Sequence, residues 1–269
     1  MKLCSWNVNG LRAVIRKGKF AVAVRALAPD VLCLQETKIN AAMATPIDDL
    51  YPFRYFNAHT RPGYCGVAVF SKQQPTSVSD TGMGEAGRGR YQEVEFADFL
   101  LINVYTPNSG VGDSRTGRPS LQALPQRMAW DKAFRERVQV LMRKKPVVIM
   151  GDLNVAPVSR DQAAPGAGLD YFSNNKPGSA GLTPQEISGF HALVATGFVD
   201  TFRTLYPHKT KYTYQNFRAK KKPTDTDPGS GWRIDMTLVS RPLMPRVADS
   251  DVHDRIEGSD HRPITLVLH

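Results

Sequence analysis

The chain has 269 residues, 41% hydrophobic and 22% charged, proportions that fit a globular protein. No apolar stretch approaches the length needed to cross a bilayer, which argues against a membrane-spanning helix. With 35 basic against 25 acidic residues the net charge is +10, a balance that suits an anionic partner, nucleic acid foremost.

The N-terminus, MKLCSWNVNG, runs straight into a strand pattern without the apolar core of a signal peptide, so a cytoplasmic protein is expected. Cys4, Cys33 and Cys65 lack the paired spacing of a zinc site and read as buried free thiols. Short apolar runs bounded by Gly, Pro or polar residues predict strands at KLCSWNV, DVLCLQE, YCGVAVFS, RYQEVEF, FLLINVY, PVVIMGD, RIDMTLVS and ITLVL. After Leu124 the residues Trp130, Phe134, Val138 and Leu141 recur at helical spacing. The stretch from Pro157 to Gly181 is too polar for core and too long for a simple turn, which predicts a functional or mobile loop. A second helix is predicted at TPQEISGF, with Thr183 as cap, Pro184 in the first helical position and Glu186 completing a capping box. No linker interrupts this order, so a single domain over 1–269 is expected. Some strands alternate with helices and others follow one another directly, which predicts two sheets packed face to face with helices outside.

Polar groups gather where the predicted strands stop: Asn7 and Asn9, Gln35 and Glu36, Tyr105 and Asn108, Asp152 and Asn154, and Asp260 and His261 before the last strand. SWNVNG and GDLNVAP echo one another, and two such loops could face each other across paired sheets. Asp235 is flanked by Ile234 and Met236, and a carboxylate there is expensive unless paired. His261 is a natural partner, because a carboxylate on one ring nitrogen fixes the tautomer and favours the charged ring; a simple turn tie would use the same pair. No serine or cysteine is placed as a nucleophile. The carboxylates and carboxamides suit a hard cation, Mg²⁺ or Mn²⁺, on Glu36 with Asn9 or Asp260 in support. Asp152, held by Asn154, would orient and deprotonate water while the cation and His261 neutralise phosphate oxygens, giving phosphodiester hydrolysis by direct water attack. In KTKYTYQNFRAKKKPTDT, Lys209, Lys211, Arg218, Lys220, Lys221 and Lys222 are interleaved with Tyr212, Tyr214 and Phe217. That mixture can hold phosphates and pack against bases, and a charged hairpin on a solvated edge has the same composition.

The segments SWNVNGLRA, LCLQETK, YCGVAVFSK, NVYTPN, GDLNVAP, LTPQE, VDTFR, GWRIDMTLVS and GSDHRPI resemble, in order and across essentially the whole chain, the exonuclease III family of apurinic/apyrimidinic (AP) endonucleases. The resemblance implies an α/β fold, a four-layer sandwich of two mainly antiparallel sheets shared with the wider endonuclease/exonuclease/phosphatase superfamily. It implies a monomer acting on double-stranded DNA with abasic sites or blocked 3′ ends. Cleavage would fall 5′ to the lesion and leave a 3′-OH, with some 3′-phosphatase and 3′–5′ exonuclease activity. Glu36 would be the principal metal ligand with Asn7, Asn9 and Asp260 nearby; Asp152 and Asn154 would position water, Tyr105 would contact the scissile phosphate and Asp235 would support His261. Trp232 and Ile234 resemble the lining of a pocket for a flipped-out baseless sugar. Asn108, Tyr214, Lys220, Lys221 and Lys222 are the further DNA-binding candidates. Asn9 stands where some members carry Asp, and KKKPTDTDPGSG lengthens the loop before GWRID. Two other readings share parts of this chemistry: a phosphatase for soluble or lipid phosphates, and a DNA-binding scaffold without catalysis.

Overall fold

The structure, a computed structural model, describes residues 1–112, 119–157, 170–172, 178–215 and 231–269. The Pro157–Gly181 stretch lies largely outside them, as do Arg218 and the lysines 220, 221 and 222.

The apolar runs form the strands of two six-stranded sheets. The first holds β1 (Lys2–Asn7), β2 (Val31–Gln35), β3 (Phe53–Asn57), β4 (Val67–Ser71), β15 (Val247–Val252) and β16 (Ile264–Leu268), in the order β15-β16-β1-β2-β4-β3. The second holds β5 (Ser77–Ser79), β6 (Tyr91–Glu95), β7 (Leu100–Tyr105), β10 (Val147–Asp152), β12 (Phe198–Asp200) and β14 (Asp235–Ser240), ordered β12-β14-β10-β7-β6-β5. Two-residue strands make two further pairs: β8 (Val111–Gly112) with β9 (Pro119–Ser120), and β11 (Tyr171–Phe172) with β13 (Gly231–Trp232). The large sheets share one plan. A central parallel pair, β1–β2 or β10–β7, is flanked by antiparallel neighbours, so β1 and β10 occupy equivalent places.

Alternation along the strands sorts the side chains into layers. Leu3, Val31, Val148 and Met150 fill the space between the sheets. Their chain neighbours Cys4 and Leu32 face outward to α1 (Leu11–Arg16) and α2 (Lys19–Leu27). Val147 and Ile149 face α3 (Leu124–Met142) and α4 (Pro184–Ala195), while the short α5 (Thr201–Leu205) packs Phe202 into the inter-sheet core. The result is the four-layer α/β sandwich. Thr183 caps α4 in a full capping box with Glu186. All three cysteines are buried and free.

Two polar networks fix elements that apolar packing would leave free to slide. Between the sheets, the fully buried Gln35 donates to Asn103 Oδ1 (2.8 Å) and Ser5 Oγ (2.9 Å), and Asn103 donates to the backbone oxygens of Leu34 and Ala68. At the β14 end, buried Arg233 spans Asp170 (Nε to Oδ1, 2.7 Å) and Asp200 (Nη2 to Oδ2, 2.8 Å), and Arg203 adds a second cation to Asp170 at 2.6 Å.

Candidate active site

The site forms where β1 and β10 end side by side. Asn7 closes β1, and Asp152 closes β10 opposite both Tyr105 on β7 and Asp235 on β14. This lateral register puts the phenol and two carboxylates in one row across the second sheet. Gly151 is required just before Asp152: a Cβ there would lie 1.9 Å from the Val104 carbonyl oxygen, at a φ of +151°.

Each of the two strand ends continues into the same turn. The Asn9 amide donates to Asn7 Oδ1 (3.0 Å), and the Asn154 amide donates to Asp152 Oδ1 (2.9 Å). Asn9 and Asn154 both take the left-handed conformation, with φ of 45° and 48°. Asparagine tolerates that region because its short side chain bonds locally. The echo between SWNVNG and GDLNVAP is therefore one backbone motif used twice, and Asn7 Nδ2 joins the copies by donating to Asp152 Oδ2 at 2.9 Å.

The same Asn7 amide donates to Glu36 Oε1 at 3.0 Å, so one carboxamide holds both carboxylates. Glu36, left-handed at φ 49°, follows β2 and is 17% exposed at its side chain. Lys38 pairs with Glu36 Oε2 at 2.9 Å and also donates to Asn9 Oδ1. Asn9 Nδ2 bonds both oxygens of Asp260, at 3.0 and 3.1 Å. Burial alone would raise the pKa of Glu36, but Asn7 and Lys38 outweigh it and hold the carboxylate below its usual range.

On the facing side, His261 Nδ1 lies 2.7 Å from Asp235 Oδ2, and Nε2 points toward Asp152 Oδ2 at 3.9 Å. Burial opposes charge on this imidazole, yet Asp235 and then Asp152 more than compensate and lift its pKa to about 10. Burial, reinforced by the charge on Asp235, pushes the Asp152 carboxyl up to about 7. Trp6 Nε1 donates to the His261 carbonyl (3.1 Å), and Thr213 Oγ1 accepts the backbone N–H of Ile234 and Asp235, fixing both members of the pair. One ligand atom from each of Glu36, Asp152 and His261, a carboxylate oxygen or an imidazole nitrogen, lies within 4.8 Å of the others, the spacing of a three-residue metal cluster. A protonated imidazole has no lone pair to give, so His261 is better suited to meet an anion.

Tyr105 is half-buried, beside Glu36 and Asp152; desolvation and those two charges push its phenol well above the usual range and keep it a donor. Arg90 stacks on its ring, 4.8 Å from the centroid, and donates to Tyr64 Oη at 2.8 Å. Asn154 donates to the Thr106 carbonyl (2.8 Å) and accepts from Asn108 (3.0 Å). Trp232 and Ile234 form a small apolar cluster with Ala156 and Leu182, with Tyr214 against it and 5.0 Å from the His261 ring. Gly181 makes room for the indole, since a Cβ there would lie 2.9 Å from it.

The structure thus gathers Asn7, Asn9, Glu36, Tyr105, Asn108, Asp152, Asn154, Tyr214, Asp235, Asp260 and His261 into one cluster, with Trp232 and Ile234 alongside. Lys38, Arg90, Trp6 and Thr213 also belong to it, and the sequence singled out none of them. Lys38 had a legible signal, because it lies two residues beyond Glu36 in LQETK.

The residues fit a hard cation. Glu36, Asp260 and Asn9 offer oxygen donors, and the Lys38 ammonium already bridges Glu36 and Asn9 as a positive charge would.

The sequence matches the Endonuclease/Exonuclease/phosphatase family over residues 4–261. It is 38% identical over 274 residues to an exodeoxyribonuclease of Bacillus subtilis (strain 168), covering 100% of this chain and 99% of that protein. It is 39% identical over 277 residues to the DNA repair nuclease APEX1 of Danio rerio, covering 100% and 82%. The fold resembles that of an AP endonuclease from Archaeoglobus fulgidus with a TM-score of 0.80, at 26% identity, covering 100% of this chain and 99% of the other.

Proposed function

The chain belongs to the Endonuclease/Exonuclease/phosphatase family, and we propose that it is a metal-dependent AP endonuclease of base-excision DNA repair. It hydrolyses the phosphodiester 5′ to an abasic site in duplex DNA and leaves a 3′-OH, and the same site acts on blocked 3′ ends as phosphatase or exonuclease. The observation that carries this reading is the setting of Asp152: a buried carboxylate with a raised pKa, joined to Asn7, backed by Asn154 and faced by a charged His261. The names of its relatives and structural neighbour support the choice of DNA repair over other chemistries.

Asp152 takes a proton from water as the water oxygen bonds to phosphorus, and a pKa near neutrality suits that task. Asn154, fixed by Thr106 and Asn108, orients the same water. His261, kept charged by Asp235, donates to a phosphate oxygen on which negative charge grows, and Tyr105 donates from the other side. The P–O3′ bond breaks, and the departing oxygen takes up a proton to become the 3′-OH. Glu36 would hold the cation with Asn9 and Asp260, Asn7 steadying the carboxylate; when bound, Mg²⁺, or Mn²⁺ in its place, supplies positive charge against the phosphate oxygens. Trp232 and Ile234 would line the space for the baseless sugar, and Tyr214 and the lysines 220, 221 and 222 would meet the duplex.

Competition between substrate classes tests the proposal. An abasic-analogue duplex should be cleaved far faster than a soluble phosphate monoester, with activity falling steeply between about 50 and 200 mM salt as phosphate contacts weaken. Equal hydrolysis of the monoester without salt dependence would favour a small-molecule phosphatase.

A further inference from the structure

Arg127 lies on α3, outside that cluster, and is 2% exposed. Its guanidinium reaches two loops that end separate strands. Nη1 donates to the carbonyls of Pro107 (3.0 Å) and Asn154 (3.1 Å), and Nη2 donates to the carbonyl of Leu153 (2.9 Å). Nε donates to Asp131 Oδ1 at 2.8 Å, and Glu186 stands 3.5 Å from Nη1. The half-buried Asp131 and the buried Glu186 therefore hold the cation from the helix side while three backbone oxygens take it up on the loop side.

Those loops carry Asn108 and Asn154, whose side chains bond each other. Asn154 sits at a positive φ, and its amide is the donor to Asp152. Packing at this corner leaves a water-sized gap, a cavity of about 20 Å³ between Leu153, Phe134, Phe190 and the Arg127–Asp131 pair. Directional bonds from a planar fork supply what packing leaves out.

We propose that Arg127 is a positioning residue for hydrolysis: it sets the loop of Leu153–Asn154 against Pro107 and so aims Asn154 and Asp152 at the water. The proposal rests on the roles given to that pair under the proposed function. A lysine keeps the charge but cannot reach three carbonyls with fixed geometry, whereas D131N removes a counter-charge and leaves the carbonyl contacts in place.

The test measures kcat and KM on an abasic-analogue duplex, per folded molecule, together with melting temperature and amide hydrogen exchange at Asn154, for wild type, R127K and D131N. R127K is expected to lose kcat on the order of 10²-fold, as small misplacements of catalytic groups do. Its KM should stay within about twofold, because the loss falls on the transition state rather than on binding. Exchange at Asn154 should quicken in R127K and not in D131N, and D131N should keep wild-type turnover even where its melting temperature falls. R127K turning over like wild type, or both variants losing kcat in step with melting temperature, would overturn the proposal. A wild type that leaves the abasic duplex uncut would instead defeat the proposed function. The exchange comparison still decides the clamp in that case, since unchanged protection at Asn154 in R127K would refute it.

Discussion

At Asp152 the two sheets meet through one hydrogen bond, from Asn7 of the first sheet, while the Asn154 amide in the turn after β10 holds the other carboxylate oxygen. Replacing this carboxylate by Asn removes the proton acceptor at nearly constant shape. We expect D152N to lose turnover by about 10²–10⁴-fold, the usual worth of a positioned base, while binding abasic DNA as wild type does; equal loss of binding in a gel-shift titration would make Asp152 structural. His261 gives a signed pH test. Asp235 raises its pKa to about 10, so the charged ring persists through neutral pH and is lost as pH rises through that value. In D235N the imidazole should titrate nearer its ordinary value of about 6.5, moving the alkaline limb of the kcat profile downward. An alkaline limb that stays in place would remove His261 from the charge-bearing role. Asp152, Asn154 and His261 were legible because they are polar groups at the ends of apolar runs, where a strand must stop, and Asp235 because a carboxylate between Ile234 and Met236 demands a partner. Arg90 and Arg127 were not, since a cation's partner depends on which loops the fold brings to it, and the signal of Lys38 beside Glu36 in LQETK was passed over.

Among the elements, strands with continuous apolar runs could be read directly, as could α3 from its stripe and α4 from its capping box. The strands β3, β5, β12 and β15 were missed. All lie at sheet edges, where one side is unpaired and the alternation is diluted by polar residues. The helix α1 escaped because it is six residues long and follows Gly10, which has no side chain to cap it. The helix α2 carried a readable stripe in Phe20, Ala23, Val24 and Leu27 that was passed over. Least visible was the union of Asp170, Asp200, Arg203 and Arg233, which ties the end of β12, α5, the link between β13 and β14 and the residue before β11 together from positions far apart in sequence. Burial works against charge on Asp170, but Arg233 and Arg203 outweigh it and hold its carboxyl below the usual range. A depressed folded-state pKa gives stability that is full above the unfolded value of about 3.9 and is lost as pH falls through the folded value. D170N should therefore cost about 3–5 kcal/mol at neutral pH, as breaking a buried ion pair does, and should show a shallower acid-side loss than wild type. Urea titrations from pH 7 downward measure both; parallel curves for the two proteins would mean that Asp170 contributes little through its charge.

For the molecule as a whole, the two sheets are variations on one plan, and the site is built where their equivalent strands β1 and β10 release matching turns. The first sheet supplies Glu36 and Asn9, and the second supplies Asp152 and Asn154, the pair that handles the water in the proposed mechanism. His261, just before β16, faces Asp235 at the start of β14, so it bridges the halves. Neither sheet alone holds the whole candidate site, which is why its motifs are scattered from one end of the chain to the other. The measurement that bears most directly on this account compares a duplex carrying one abasic-site analogue with the same undamaged duplex, each with Mg²⁺ and with EDTA, mapping the position of any nick. A metal-dependent nick confined to the 5′ side of the lesion and ending in a 3′-OH is the expected result. Cleavage of both duplexes alike, cleavage that persists in EDTA, or no cleavage of either would contradict it.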